Sequence, residues 1–351
     1  MSSYPAALVD ARRLGDFALR YGIVWVTLAL FVVLSVASDV FLSKPNLLNV
    51  LDQQSAVLIA ASAITLTLIA GGFDVSLAAI FVLAGVTALR VENETGSIAL
   101  GVAAALGIGL AAGSFNGFVV TVGRINSFIA TLAMSFVLFG LAFVVSERSI
   151  LRPVNPEFSD IARTKVFGVA TSSWIAIGVV LFLWFVLDRT RFGRHVYAVG
   201  TNREAARLAG VRVDLVQAAT FAIGGLAAGL AGLLVTSRTS TAQASDDFSF
   251  IFIVIAAVVV GGTSIMGGEG AVWRSVLGAF FIAFMINGFN LLGVDPIYQR
   301  IIRGAIILGA VWIDAHSRGY SARWRSDRDS DAARAVFRLR PRAEHRSNRE
   351  E

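Results

Sequence analysis

The sequence has no cysteine, few charged residues and only three scattered histidines. Without cysteine, neither a disulfide nor a thiolate metal site can form, and the histidines lack the H-E-x-x-H spacing of a zinc site. Charged residues make up 15% of the 351 residues and hydrophobic residues 56%, whereas a soluble domain averages about 25% charged. We therefore expect no metal site, and we favour a membrane protein.

Long apolar runs occupy most of the chain between short charged stretches. A helix that crosses a bilayer needs about 20 mostly apolar residues. We therefore predict an all-α polytopic membrane protein with about ten transmembrane helices. The predicted spans are roughly 21–38, 48–70, 75–90, 97–122, 127–145, 172–188, 213–235, 248–262, 271–292 and 297–313.

The distribution of basic residues predicts the orientation of these spans. Lys and Arg in short loops stay on the cytoplasmic side of a membrane, and ten crossings bring both termini to one side. With both termini in the cytoplasm, 21 of the 30 Lys and Arg residues lie inside and nine lie outside. The sequence thus predicts a cytoplasmic N-terminal segment at residues 1–20 and a transmembrane domain at residues 21–314.

The final segment, residues 315–351, is rich in arginine and has almost no apolar periodicity. Such a composition cannot bury enough apolar surface to fold as a packed domain. We expect a flexible or partly helical cytoplasmic tail. It either fixes the orientation of the last span or contacts anionic lipid headgroups or a soluble partner.

Two glycine-rich stretches follow apolar runs and predict breaks in the helices. The first ends in an Asp-x-Ser sequence suited to cap the next helix, and the second has five glycines within residues 261–270. Each is either a tight turn with a capped helix start or a direct part of gating. The residues concerned are Gly71, Gly72, Asp74, Ser76, Gly261, Gly262, Gly267 and Gly268.

The predicted cytoplasmic segment 189–212 carries the clearest local pattern. Thr201 or Asn202 can cap a short helix of good helix formers, and Gly210 can end it. The helix would carry Glu204 and Arg207 on its charged side and Ala205, Leu208 and Ala209 on a small apolar side. Such an element either docks on another protein or lies on the membrane surface.

One run in this segment reads Thr190-x-x-Gly193-Arg194-x-x-x-Ala198-x-Gly200-x-Asn202-x-x-Ala205-Ala206-Arg207-x-x-Gly210-Val211. It resembles the cytoplasmic coupling segment of permeases in ribose-type monosaccharide ABC importers, and the glycine-rich stretches extend the resemblance over about residues 40–314. In that family the short helix docks into the ATP-hydrolysing subunit. The resemblance gives a coupling role to Asn202, Glu204, Ala205, Ala206, Arg207 and Gly210.

The resemblance implies a transport subunit and not an enzyme, with no cofactor and no catalytic residue of its own. Its partners would be a second permease copy or paralogue, two ATP-binding cassette domains that bind ATP and Mg, and an extracytoplasmic solute-binding protein. The resemblance also implies a location in the inner membrane of a bacterium. The cargo would be a monosaccharide, which the permease would move by alternating access. The alternatives are a passive channel, an intramembrane enzyme, or the same scaffold carrying a polyol or signalling sugar.

Several polar residues in or beside the spans could contact the solute or the binding protein. Asn116, Asn287 and Asn290 are amides in apolar helices that could line a substrate path, or simply bond neighbouring helices. Arg300 and Arg303, at the outer end of the tenth span, could pair with acidic residues of the binding protein or snorkel to the interface. The sequence departs from the family pattern at Ala78, around the outer stretch of Pro153 and Pro156, and in the tail.

Overall fold

The computed structural model describes residues 22–302, 304–306, 308–309 and 312, and these residues are mostly helical. The N-terminal segment 1–20, the whole tail 315–351 and Arg303 lie outside the described residues. The chain divides into two compact units, Met1–Ile307 and Leu308–Glu351, and residues 22–302 and 304–306 belong to the first. The elements in chain order are α1 Gly22–Ala37, α2 Lys44–Ile69, α3 Leu77–Thr95, α4 Ile98–Thr121, α5 Ser127–Val145, a 3-10 turn Pro156–Ser159, α6 Asp160–Arg163, β1 Lys165–Val166, β2 Val169–Ala170, α7 Thr171–Arg189, α8 Arg191–Thr201, α9 Arg203–Leu208, α10 Val213–Thr239, α11 Ser249–Val260, α12 Val272–Leu291 and a helix α13 from residue 296.

A helix lies in each of the ten predicted spans. Among the described helices, six are long and apolar enough to cross a membrane: α2, α4, α5, α7, α10 and α12. The apolar helices α1 and α11 are shorter, with 16 and 12 residues. The structure therefore has a polytopic helical architecture, while ten crossings and cytoplasmic termini stay predictions.

The core of the bundle is built around α2 and α10, whose inner faces are buried over most of their length. Helix α4 packs closely on α10 because glycines line both sides of the contact. A Cβ atom added to Gly109 would overlap the Gly225 carbonyl oxygen, and one added to Gly225 would overlap the Gly109 carbonyl oxygen. These small residues allow two backbones to approach each other, so here they serve packing within one chain.

The connections gather at two opposite ends of α2. Beyond one end, Leu151 and Ala242 form a backbone bridge with N···O distances of 2.9 and 3.0 Å. At the other end, the Gly268 amide donates to the Ile69 carbonyl oxygen at 2.9 Å. We call the second end the coupling end because residues 189–212 lie there, and we call the first the distal end.

The all-α prediction misses a small β-hairpin at the distal end. Strands β1 and β2 are antiparallel, and Phe167 and Gly168 between them have φ angles of 53° and 80°. Two successive left-handed residues are typical of the two-residue turn that suits the twist of a hairpin. The hairpin belongs to the connection 146–171, which also departs from the family pattern in sequence.

A buried carboxylate holds this distal connection against α3. The Glu92 side chain is fully buried and accepts hydrogen bonds from the backbone amides of Val154, at 3.2 Å, and Asn155, at 2.8 Å. Two amide donors satisfy a buried carboxylate that would otherwise be costly. Glu92 thus fixes the loop that the predicted topology places outside the cell.

Single cysteines introduced into this cysteine-free chain test the predicted orientation. In intact cells, we expect a membrane-impermeant thiol reagent to label Asn93→Cys and Ser240→Cys, because the predicted topology places the distal end outside. Asn202→Cys and Ser326→Cys are expected to react only after the inner side is opened, although Ser326 lies outside the described residues. The cysteine-free parent gives the background, and labelling of Asn202→Cys in intact cells would overturn the orientation.

Candidate functional site at the coupling end

Two short helices form the coupling segment 189–212. Helix α8 starts at Thr190, whose hydroxyl accepts a hydrogen bond from the Gly193 amide at 3.3 Å. Helix α9 starts at Asn202, whose Oδ1 accepts from the Ala205 amide at 3.0 Å. The sequence predicted α9 and its cap, but it gave no separate prediction of α8.

Gly210 ends α9 in the way that the sequence suggests. Its φ angle is +83°, and its amide donates to the Arg207 carbonyl oxygen at 2.9 Å. The next amide, of Val211, donates to the Ala206 carbonyl oxygen at 3.0 Å. This paired arrangement is a Schellman termination, which favours glycine because the left-handed conformation is strained for other residues.

Arg203 anchors α9 to the bundle, a role that the sequence analysis missed. Its guanidinium donates to Gln217 Oε1 and to Asp214 Oδ1, each at 2.6 Å. Both acceptors lie in the first two turns of α10, so the short helix is fastened to one of the central helices. The available signal was an acidic residue, Asp214, four residues after the helix-ending Gly210.

The outer face of α9 is exposed among the residues that the structure describes. The Leu208 side chain is 82% exposed, and Glu204 and Arg207 form only a loose, exposed ion pair with a 3.6 Å separation. Exposed pairs of this kind contribute little stability. Ala206, in contrast, is buried, so it packs α9 onto its own chain, whereas exposed residues such as Ala205 carry the predicted docking surface.

The other face of the coupling segment fits against the end of α2 and the second glycine-rich stretch. A Cβ atom on Gly200 would overlap the Ile69 carbonyl oxygen, so only glycine lets α8 reach this position. The Tyr197 hydroxyl donates to the Gly270 carbonyl oxygen at 2.8 Å. Burial raises the pKa of Tyr197 to about 12, so the hydroxyl keeps its proton and this bond at neutral pH.

Both glycine-rich stretches are ordered turns. In the second, Gly262, Gly267 and Gly268 have φ angles between 78° and 90°, and a Cβ atom on Gly261 would overlap the Arg274 carbonyl oxygen. The predicted helix break is therefore present, because these glycines adopt left-handed or closely packed backbone positions. A part in gating stays a prediction.

The first stretch is fixed by a buried polar network. Asp74 Oδ1 accepts from the Ser76 amide at 2.9 Å and from the Ser76 hydroxyl at 2.6 Å. The Asn116 side chain donates to Ser76 Oγ at 2.7 Å. Asp74 therefore closes a turn just before α3, and the predicted side-chain cap is absent, because the N-cap residue Ser76 bonds to Asp74 and makes no cap bond of its own. Gly71, with a φ angle of +76°, allows the preceding turn.

A crevice of about 360 Å³ opens between this first stretch and α9. Arg124, Arg203 and Arg207 line it together with Asp214 and polar groups of α10. The exposed face of α9 thus borders a mostly basic recess. Such a recess complements acidic side chains of a docking protein.

The three candidate path amides have partners inside the chain. Asn116 is buried in the network described above. Asn287 and Asn46 exchange two side-chain hydrogen bonds, at 2.9 and 3.0 Å, and Asn290 accepts from Gln299 at 3.0 Å. These bonds favour interhelical packing, and a role in solute passage stays a prediction.

The candidate contact residues for a binding protein are only half described. Arg300 is exposed, and Arg303 lies outside the described residues. Hydrogen bonds from Ser249 lower the pKa of Asp247, and the nearby Arg300 charge lowers it further. Arg300 thus already has an acidic neighbour in its own chain.

Comparisons with known proteins identify the family. Residues 46–311 match the family described as the branched-chain amino acid transport system permease component. The ribose import permease protein RbsC of Escherichia coli K12 is 37% identical over 294 residues, which is 82% of this chain and 91% of that protein. The L-arabinose permease proteins AraH of E. coli K12 and Azospirillum brasilense are 33% and 36% identical, over 83% and 89% of this chain and 90% and 93% of theirs.

This chain therefore belongs to that permease family of integral membrane proteins, and its similarity to sugar import permeases confirms the resemblance seen in the sequence. No solved structure matches it.

Proposed function

We propose that this chain is the membrane-spanning subunit of an ATP-driven importer for a monosaccharide or a similar small polyhydroxy solute. Two permeases, two ATPase domains and an extracytoplasmic solute-binding protein would assemble in the inner membrane of a bacterium. The names of the ribose and arabinose permeases support the class of cargo. The observation that carries the proposal is an exposed α9 face joined to the central helices.

The contacts of the coupling segment suit the transmission of a rigid-body movement. An ATPase that moves α9 would pull on α10 through Arg203 and its two acceptors. The same movement would displace the end of α2, because Gly200 leaves no room between α8 and the Ile69 carbonyl. Packed elements that have two arrangements respond to such a push as units. Alternating access would follow as the two permeases rock against each other.

The alternative functions differ in whether they require the observed contacts at the coupling end. A passive channel has no use for an exposed helix that is fastened to α10 and pressed on α2. A polyol or a signalling sugar would use the same machinery, since hydroxyl groups are recognised by the same polar side chains. Purification of the permease with an ATPase, followed by ATP-dependent uptake in proteoliposomes, tests the proposal.

A further inference from the structure

The distal half of α2 carries polar side chains that hydropathy alone does not distinguish from the rest of the predicted span. Asn49 and Gln53 are one helical turn apart and exposed, and the Gln53 side chain donates to Asn49 Oδ1 at 3.0 Å. In contrast, every residue of α2 from Ser55 to Ile69 is buried. The exposure of α2 is thus confined to its distal half, where it is polar.

Gln53 lies inside the predicted membrane region, as the sixth residue of the span 48–70, and Asn49 lies at its outer edge. Asn49 and Gln53 stand five and nine residues after Lys44, the first residue of α2, which is roughly 8 and 14 Å along a helix that rises about 1.5 Å per residue. Amide side chains that face hydrocarbon are costly, so polar groups at this depth face a partner or a water-filled cavity. The exposed side chains of the neighbouring α7 differ, since Leu181, Phe182 and Phe185 are apolar.

The bonds on either side of the pair show which helices flank it. Asn46 bonds to Asn287 of α12, and Asp52 accepts a hydrogen bond from Ser172, in the first turn of α7. Around the helix, Asn49 and Gln53 point between these two directions, because successive residues turn by about 100°. The pair therefore faces the gap between α7 and α12.

Among the described residues, this gap is open towards the distal end and closed deeper in the bundle. Ala56 and Ala60 each follow one member of the pair by seven residues and share its face. Both alanines are buried, with 3% and 0% exposure. Helix α2 is thus covered deeper in the bundle and uncovered at Asn49 and Gln53, on the side away from the coupling segment.

We propose that Asn49 and Gln53 form a solute-binding site at the base of an outward-facing cleft between α7 and α12. The ligand class is a small polyhydroxy solute, because an amide donates and accepts hydrogen bonds just as a hydroxyl does. The inference rests on the proposed function and names residues for its cargo. Asn287 and Asp52 flank the site and stay bonded to their helical partners.

Accessibility of single cysteines tests the cleft without any assumption about transport. We expect a membrane-impermeant methanethiosulfonate, added from outside to the assembled complex, to react with Gln53→Cys. Phe182→Cys is the matched control, because it is also exposed in this chain but apolar surroundings would hold it in lipid. Reaction of Gln53→Cys no faster than of Phe182→Cys overturns the cleft. Spontaneous cross-linking of Gln53→Cys to its copy in a second permease, with no reaction with the reagent, overturns it equally.

Uptake of D-ribose and L-arabinose tests the ligand. Gln53→Leu is expected to insert normally and to raise the solute concentration for half-maximal uptake about tenfold, or to abolish uptake, whereas Gln53→Asn should retain part of it. Wild-type uptake by Gln53→Leu and by Asn49→Leu overturns the assignment. If the parent protein imports neither sugar while Gln53→Cys is labelled, the assignment of these sugars as ligands fails, whereas the cleft stands. If the parent imports sugar and Gln53→Cys is not labelled, only the site fails.

Discussion

Replacing Gly200 by alanine is expected to lower the melting temperature of the purified permease and to abolish ATP-driven transport. The added Cβ atom would overlap the Ile69 carbonyl oxygen and crowd the Gly268 amide that bonds to it. Overpacking of this kind costs about 1–3 kcal/mol where neighbours can shift. Here the neighbours are backbone atoms, so α8 itself must move away from α2. The melting temperature in detergent and the ATP-dependent solute uptake of the reconstituted complex measure the two effects.

Gly178→Ala is the matched control for this experiment. Gly178 lies in α7, and a Cβ atom there would meet no described atom within 4 Å. Alanine also favours a helix over glycine by about 0.5–1 kcal/mol, so this variant should melt at the parent temperature or above it. Equal melting and equal activity of the two variants would show that the contact between α8 and α2 is unimportant.

Changing the exposed face of α9 is expected to release the ATPase while the permease itself stays folded. Arg207→Glu reverses a charge that borders the basic crevice, and Leu208→Asp places a charge where the exposed apolar side chain would be buried in a partner. Loss of a hot-spot residue weakens an interface by about 2 kcal/mol or more, so we expect a drop in affinity of at least about 30-fold. Pull-down of the ATPase and solute-stimulated ATP hydrolysis give the measurement.

The choice of variants follows from the burial of α9. Ala206→Trp would test docking poorly, because Ala206 is buried and the new ring would disturb the packing of α9 on its own chain. Arg152→Glu, an exposed arginine in the distal connection, is a suitable control for the reversal of charge. If Arg207→Glu and Leu208→Asp hold the ATPase as firmly as Arg152→Glu does, the ATPase docks elsewhere.

The helical architecture could be predicted because length and apolarity are local properties of the chain. The same holds for the start and end of α9, since Asn202 and Gly210 act on backbone groups within three or four residues. The anchoring of α9 by Arg203 could not be predicted in the same way. It depends on how the turn at Gly210 folds the following helix back, which brings Gln217 and Asp214 to the guanidinium.

The candidate solute site shows a second limit of the sequence. Averaged hydropathy places Asn49 and Gln53 inside one apolar span, where they do not stand out, whereas Asn287 interrupts its helix visibly. In the structure, Asn287 is paired with Asn46, whereas the two α2 amides are exposed. The α2 amides are therefore the stronger candidates for contact with a solute, although they are less conspicuous in the sequence. Only the packing of α7 and α12 distinguishes an amide that joins helices from one that faces an opening.

Accumulation of sugar in proteoliposomes tests the central proposal most directly. The permease, an ATPase that copurifies with it and the solute-binding protein are reconstituted, and uptake of labelled D-ribose or L-arabinose is followed with and without ATP. We predict accumulation above the outside concentration only with ATP, and its loss in Arg207→Glu. Equilibration of the sugar without ATP, at the same rate in the parent and in Arg207→Glu, would identify a passive channel and contradict the proposal.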